Sequence, residues 1–253
     1  MLLTCLVNNG RRIKETSVSS ERKVAVITGA SRGMGAALVE AYRDRGYGVV
    51  ATARSIRPTN DNQILVVPGD ITDRKTAQRA ISEGLARFGR IDTLINNAGV
   101  FIAKPFTQYT EVDYATALGV NLTGFFHITQ LTIAEMEKRR SGHVVQITTS
   151  WIEHVNSQVP SVLASLTKGG LSAATKSLAI EYAKVGIRVN AVAPGVIKTP
   201  MHPVETHPQF AKMHPLGRMG EISEIVDAIL YLESANFVTG ETIHVDGGQS
   251  AGH

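Results

Sequence analysis

The stretch that most constrains this chain is TGASRGMG, residues 28–35, which directly follows the Val- and Ile-rich run KVAVITG and opens an amphipathic segment. Glycines at 29, 33 and 35 permit a turn too tight for side chains and let bare backbone approach a ligand. A helix that opens on such a turn presents unpaired N–H groups, and its dipole favours negative charge in front of them. Strand, glycine turn and helix in that order predict a βα unit with a pyrophosphate cradle between its two elements.

The rest of the 253 residues repeats the alternation. GVVATA, ILVVPG, IDTLINNAG, HVVQITT, IRVNAVAPG and TIHVDGG join the first run to give seven short segments, unbroken in their apolar character and bounded by Gly, Pro or Asp. Continuous apolar runs of this length suit strands buried on both faces. Between them, stretches such as 35–46 and 72–89 space apolar residues at three and four and end in glycine, as helices do. Alternating strands and helices require right-handed crossovers, so the expected fold class is α/β: a Rossmann-type, doubly wound, seven-stranded parallel sheet with helices on both faces.

No Gly/Ser tract or repeat divides the chain, and one domain is expected over 23–253 behind a flexible arm at 1–22. Residues 196–217 hold four prolines and three histidines and read as an extended lid over the ligand crevice. The opening MLLTCLV is too short to span a membrane and precedes, instead of follows, the basic residues Arg11, Arg12 and Lys14. The formal charge of +4 forms no basic block in the body of the chain, so neither nucleic acid nor membrane is expected as a partner. A single cysteine, Cys5, admits no internal disulfide and suits the cytoplasm. His202, His207 and His214, spaced by five and seven, fit no usual zinc pattern, and no metal site is expected.

The spacing of residues 28–35 is TGxxxGxG, and further motifs follow in order: NNAG at 96–99, VNLTG at 120–124, PGVIKTP at 194–200 and VDGG at 245–248. In these the chain resembles the short-chain dehydrogenase/reductase family over residues 23 to 248. The resemblance implies a nicotinamide dinucleotide across the carboxyl edge of the sheet. Gly29, Ser31, Arg32, Gly33, Met34 and Gly35 would line its phosphates and adenosine ribose, Asp70 and Ile71 its adenine, and Asn97, Ala98 and Gly99 its ribose side. Pro194, Gly195, Ile197 and Thr199 would hold the carboxamide end. Family members commonly form tetramers through long helices and the carboxyl-terminal segment, so a homo-oligomer, tetramer or dimer, is implied; the amphipathic run at 221–234 could serve there or in the core.

An acid closing the second strand would bond the adenosine ribose hydroxyls and repel a phosphate. Here the strand leads instead into Arg54, and Arg32 sits in the glycine loop. Two guanidiniums that can fork onto a phosphate favour NADP(H) over NAD(H).

For the reaction, the resemblance implies a hydroxyl that holds the substrate oxygen, a tyrosine that moves the proton, a lysine four residues later and an asparagine behind it. Asn121 and Lys168 match the last two, and Thr149 or Ser150 the hydroxyl. The tyrosine is missing: Ala164 stands four residues before Lys168 in SVLASLTKGGL. Loss of a general acid typically removes about 10²- to 10⁴-fold in rate. Lys168 itself, His154, or less suitably Ser161 and Ser165, could move the proton instead. The expected activity is NADP(H)-dependent interconversion of a small-molecule carbonyl and an alcohol with an altered proton donor. The alternative is a catalytically weak or inactive nucleotide-binding sensor or regulatory subunit.

Overall fold

The computed structural model describes residues 22–252, so the expected arm falls outside the described residues except for Arg22. Seven strands form one parallel sheet: β1 (Val24–Thr28), β2 (Gly48–Ala53), β3 (Ile64–Pro68), β4 (Thr93–Asn96), β5 (Gly142–Ile147), β6 (Ile187–Pro194) and β7 (Thr242–Val245). Their order is β3-β2-β1-β4-β5-β6-β7. The chain winds outward from β1 to β3, then crosses back to β4 and winds the other way. The β1–β4 boundary is therefore the switch point, and the crevice opens at the carboxyl ends of these strands.

Seven helices accompany the sheet: α1 (Gly33–Asp44), α2 (Arg74–Phe88), α3 (Glu111–Leu118), α4 (Gly124–Arg139), α5 (Val162–Tyr182), α6 (His207–Ala211) and α7 (Ile222–Ser234). Leu38, Val39 and Tyr42 of α1 and Ile225, Ile229 and Leu232 of α7 pack with Ala25, Ile27 and Val145 on one face. On the other, Ala77, Ala80 and Ile81 of α2, Ile128 and Met136 of α4 and Ala179 of α5 cover Val24, Val26 and Val144. Neighbouring strand residues thus serve opposite cores, which is why the strand sequences are apolar without alternation.

Local chemistry sets the helix ends. Asp73 caps α2 by accepting from the Lys75 N–H at 2.9 Å, and Gly89, at φ 77°, ends it in the left-handed conformation. Thr110 and Asp113 form a reciprocal capping box that starts α3. A π-helical turn at Gly119–Thr123 joins α3 to α4. The added residue of such a turn shifts the side chains around it, and it carries Asn121, which is buried.

Residues 196–217 differ from the extended lid expected of them. They contain a 3₁₀ turn at Val204–Thr206 and helix α6, whose first turn holds Pro208. A proline in the first turn sacrifices no intrahelical bond, so the proline count did not forbid a helix.

The amino edge of the sheet is held by a buried carboxylate. Glu233, at the end of α7, receives the hydroxyls of Tyr42 at 3.1 Å, Tyr47 at 3.0 Å and Thr93 at 3.0 Å, with His143 Nδ1 at 3.0 Å. Burial opposes its charge, but the His143, Tyr47 and Thr93 hydrogen bonds hold its carboxyl well below the usual range. Burial pushes His143 down, so the neutral imidazole donates from Nδ1. One residue thus ties α1, β4, β5 and α7 together. Replacing Glu233 by Ala orphans several buried donors at about 1–3 kcal/mol each before relaxation. The expected loss in urea unfolding is about 3–5 kcal/mol, and a loss below about 1 kcal/mol would show that the network contributes no more than a surface contact.

Candidate active site

Thr28 closes β1 and organises the turn that follows. Its hydroxyl accepts from the backbone N–H groups of Asn97 at 3.1 Å and Ala98 at 3.0 Å. Asn97 Nδ2 returns bonds to the carbonyls of Thr28 at 2.9 Å and Gly29 at 3.2 Å. The ends of β1 and β4 are thereby fixed to one another. Gly29 and Gly33 occupy the left-handed region at φ 65° and 58°, and a Cβ on Gly35 would run into the Gly29 carbonyl oxygen. No side chain caps α1, and its first turn holds no acid. Its amino end thus presents N–H groups and a positive dipole to the crevice, which fits a dinucleotide pyrophosphate. Ser31 and Arg32 are exposed, whereas the Met34 side chain packs against the core and leaves its backbone to the turn.

Thr28 and Thr52 are register partners, so the segments after β1 and β2 leave the sheet side by side. They carry Arg32 and Arg54, both exposed and neither in an ion pair among the described residues. Asp70 Oδ1 accepts from the Thr72 N–H at 3.0 Å and shapes the turn after β3, while Ile71 fills the space beside Gly124.

Lys168, on α5, is 8% exposed, and its Nζ donates to the Ile147 carbonyl at 2.7 Å. A Cβ on Gly99 would lie 2.9 Å from that Nζ and 3.3 Å from Asn121 Oδ1, so Gly99 is the residue type that lets the three meet. Asn121 accepts from the Val100 N–H at 2.9 Å, and its Nδ2 lies 3.0 Å from both the Val100 carbonyl and Thr167 Oγ1. These bonds bind the π-turn to the loop after β4 and to α5. Burial lowers Lys168 to about 8, within reach of both protonation states near neutral pH.

Ala164 lies buried one helical turn before Lys168. The phenols whose partners are seen are engaged elsewhere: Tyr42 and Tyr47 with Glu233, and Tyr109 with the Ile102 carbonyl at 2.8 Å. The two candidate hydroxyls part company. Ser150 is fully buried, 2.7 Å from Gln249 Oε1 and 3.2 Å from the Pro194 carbonyl, where it joins the carboxyl-terminal segment to β6. Thr149 Oγ1 only accepts, from the Trp151 N–H at 3.4 Å, and keeps its own proton to donate. His154 sits in the turn after these residues, its N–H on the Ser150 carbonyl.

Beyond β6, the Gly195 N–H donates to the Val245 carbonyl, and Ile197 bridges to Gly220. Thr199 and Pro200 lie within 3.8 Å of where a Cβ on Gly33 would stand, so this segment abuts the glycine turn. The three histidines are engaged separately: His202 edge-on against Phe210, His207 with the His202 carbonyl, and His214 with Val196 and Phe210. A third apolar cluster joins Trp151, Val196, Met213 and Met219 to Phe101, Val159 and Phe210, packing the segment after β6 onto the turn after β5. The sequence reading missed this cluster, because its members lie in irregular segments far apart in the chain and have no period to read.

Glycine cradle, uncapped helix and a buried lysine at the switch point of a doubly wound sheet define a dinucleotide-binding α/β oxidoreductase architecture. A family model described as "Enoyl-(Acyl carrier protein) reductase" matches residues 29–250. The chain is 36% identical over 246 residues to a 3-oxoacyl-[acyl-carrier-protein] reductase of Aquifex aeolicus, covering 91% of this chain and 98% of that one. It is 35% identical to the L-fucose dehydrogenase of Mus musculus, covering 91% and 89%. Among solved structures, ElxO with NADP bound superposes with a TM-score of 0.83 at 27% identity, over 92% of this chain and all of that one. A 3-ketoacyl-(acyl-carrier-protein) reductase from Brucella melitensis complexed with NADH gives 0.83 at 28%, over 91% and 99%. The chain belongs to the short-chain dehydrogenase/reductase family, a family of oxidoreductases.

Proposed function

We propose that the protein is an NADP(H)-dependent oxidoreductase that interconverts a small-molecule carbonyl and an alcohol, with Lys168 in place of a tyrosine as the proton source. The observation that carries this reading is the position of Lys168: buried beside Gly99 and Asn121, anchored on Ile147, and lowered to about 8 by burial. The glycine turn and the uncapped end of α1 would hold the pyrophosphate, Arg32 and Arg54 the ribose phosphate, and the turn at 194–199 the carboxamide. The bound cofactor supplies or accepts the hydride. Thr149 donates a hydrogen bond to the substrate oxygen and steadies the charge that develops there. The Lys168 ammonium gives its proton to that oxygen, directly or through water, and is recharged from solvent.

Because only the ammonium form can donate, carbonyl reduction is expected to fall as pH rises through about 8. A flat profile between pH 7 and 9 with chemistry rate-limiting would remove Lys168 from the role. The competing reading, a nucleotide-binding sensor or regulatory subunit, rests on Ala164. It expects NADPH binding without turnover over a broad carbonyl panel, and activity only once Ala164→Tyr restores a phenol.

The phosphate assignment gives a separate expectation. Arg54→Ala should weaken NADPH by about tenfold or more, the size of one lost charge-assisted pair, and leave NADH within about twofold. Equal losses for both, measured by fluorescence titration, would sink the preference for the phosphorylated cofactor.

A homo-oligomer, dimer or tetramer, completes the proposal. Phe126 on α4 and Val162, Leu166 and Ile180 on α5 are apolar and 45–79% exposed, a surface suited to a second copy of this chain. Light scattering should return a multiple of 27.2 kDa, reduced by Leu166→Glu; a wild-type monomer at micromolar concentration contradicts it. Among the described residues no helix is long and apolar enough to cross a membrane. The cytoplasm suits the single cysteine.

A further inference from the structure

His214 is an unusual residue to find sealed inside a lid. It is 3% exposed, and its ring reaches back eighteen positions to the first residue after the Gly195 turn. The Val196 N–H donates to Nε2 at 3.0 Å, while Nδ1 lies 2.9 Å from the Phe210 carbonyl. A carbonyl can only accept, so the proton sits on Nδ1 and the lone pair on Nε2. The geometry admits only the neutral imidazole in this tautomer.

The surroundings were shaped around that ring. A Cβ on Gly195 would stand 2.7 Å from Nε2, and one on Gly247 would stand 3.2 Å from the His214 Cβ. Phe210, whose carbonyl accepts the hydrogen bond from Nδ1–H, belongs to α6 and packs against the Trp151 cluster. Val196 continues into Ile197 and Thr199, the turn beside Gly33. The imidazole therefore joins the lid helix to the segment that abuts the glycine cradle.

We propose that His214 is a positioning residue, a latch whose neutral imidazole makes closure of the lid and the shape of the turn at 194–199 a single event, released when the ring is protonated. The proposal deepens the oxidoreductase reading and rests on it for the role of that turn. Protonation would place a second donor against the Val196 N–H, which has no other partner among the described residues, and one of the two must move. Asp246 on the neighbouring turn favours the charged ring, but its carboxylate is engaged by the Gly248 and Ser250 N–H groups. Arg218 disfavours it, and burial, the largest influence, lowers the ring from its ordinary value. A group whose proton affinity is lowered in the latched form stabilises that form above its free value of about 6.5 and loses this as pH falls.

The test compares wild type, His214→Gln, which keeps an uncharged acceptor in reach of Val196, and His214→Phe, which fills the space without one. Amide hydrogen exchange at Val196 and over residues 204–217, corrected for intrinsic rates, is read at pH 7.5 and 5.0, together with NADPH affinity. Wild-type protection should fall about tenfold or more between the two pH values, while the Gln variant holds its protection at both. The Phe variant should lose about tenfold at pH 7.5, the scale of one orphaned buried donor, and bind NADPH correspondingly less well. Equal wild-type protection at both pH values, or Val196 protection in the Phe variant matching wild type, overturns the latch. If the Phe variant does not fold, the pH comparison of wild type against Gln decides alone. A wild type that shows the exchange pattern but binds no NADPH leaves the latch standing and refutes the NADP(H) assignment.

Discussion

The junction between β1 and β4 is the constraint on which the remaining geometry depends. Thr28 and Asn97 exchange bonds with each other's backbone, so the turn after β1 and the loop after β4 form one rigid piece. Gly29 and Gly35 then pack backbone to backbone with no room for a methyl group. Everything downstream in the loop after β4 is placed by this junction: Gly99 against the Lys168 ammonium, and Val100 against both polar ends of Asn121. A shift at Thr28 would carry through these bonds to Gly99 and Asn121.

The two edges of the sheet divide the labour. At the amino edge, a buried carboxylate is saturated by hydroxyls and an imidazole, which occupy its acceptor sites. At the carboxyl edge, the start of α1 has no side-chain cap, Arg32 and Arg54 are exposed without an ion pair among the described residues, and Lys168 donates to the Ile147 carbonyl. A helix start of this kind beside exposed guanidiniums suits an anionic ligand.

The contacts around Ala164 do not depend on its side chain. Thr167 bonds the Leu163 carbonyl, Asn121 reaches Thr167, and Lys168 reaches Ile147, and none of these contacts passes through residue 164. A phenol at that position would add a proton donor to a lysine already placed. Burial lowers Lys168, one turn further along the same helix, to about 8.

By itself the sequence determined the strands, most of the helices, the doubly wound parallel class of the sheet and the glycine turn. Strands buried on both faces must be unbroken apolar runs, and a turn at φ 65° followed by a helix must be built of glycine, so both leave local marks. Through the resemblance of its motifs to the family's it also singled out Asn121, Lys168, Arg32 and Arg54 as candidates. Tertiary structure alone decided what depends on partners far away in the chain. Thr149 and Ser150 are neighbours with the same chemistry, and only the distant Gln249 and Pro194, which engage Ser150, tell them apart. Glu233 reads as one more helix-end acid until Tyr42, Thr93 and His143 converge on it, and His214 as one of three lid histidines until Val196 turns its N–H toward the ring. Such pairings are set by the packing of whole elements against each other, and no period or spacing along the chain records them.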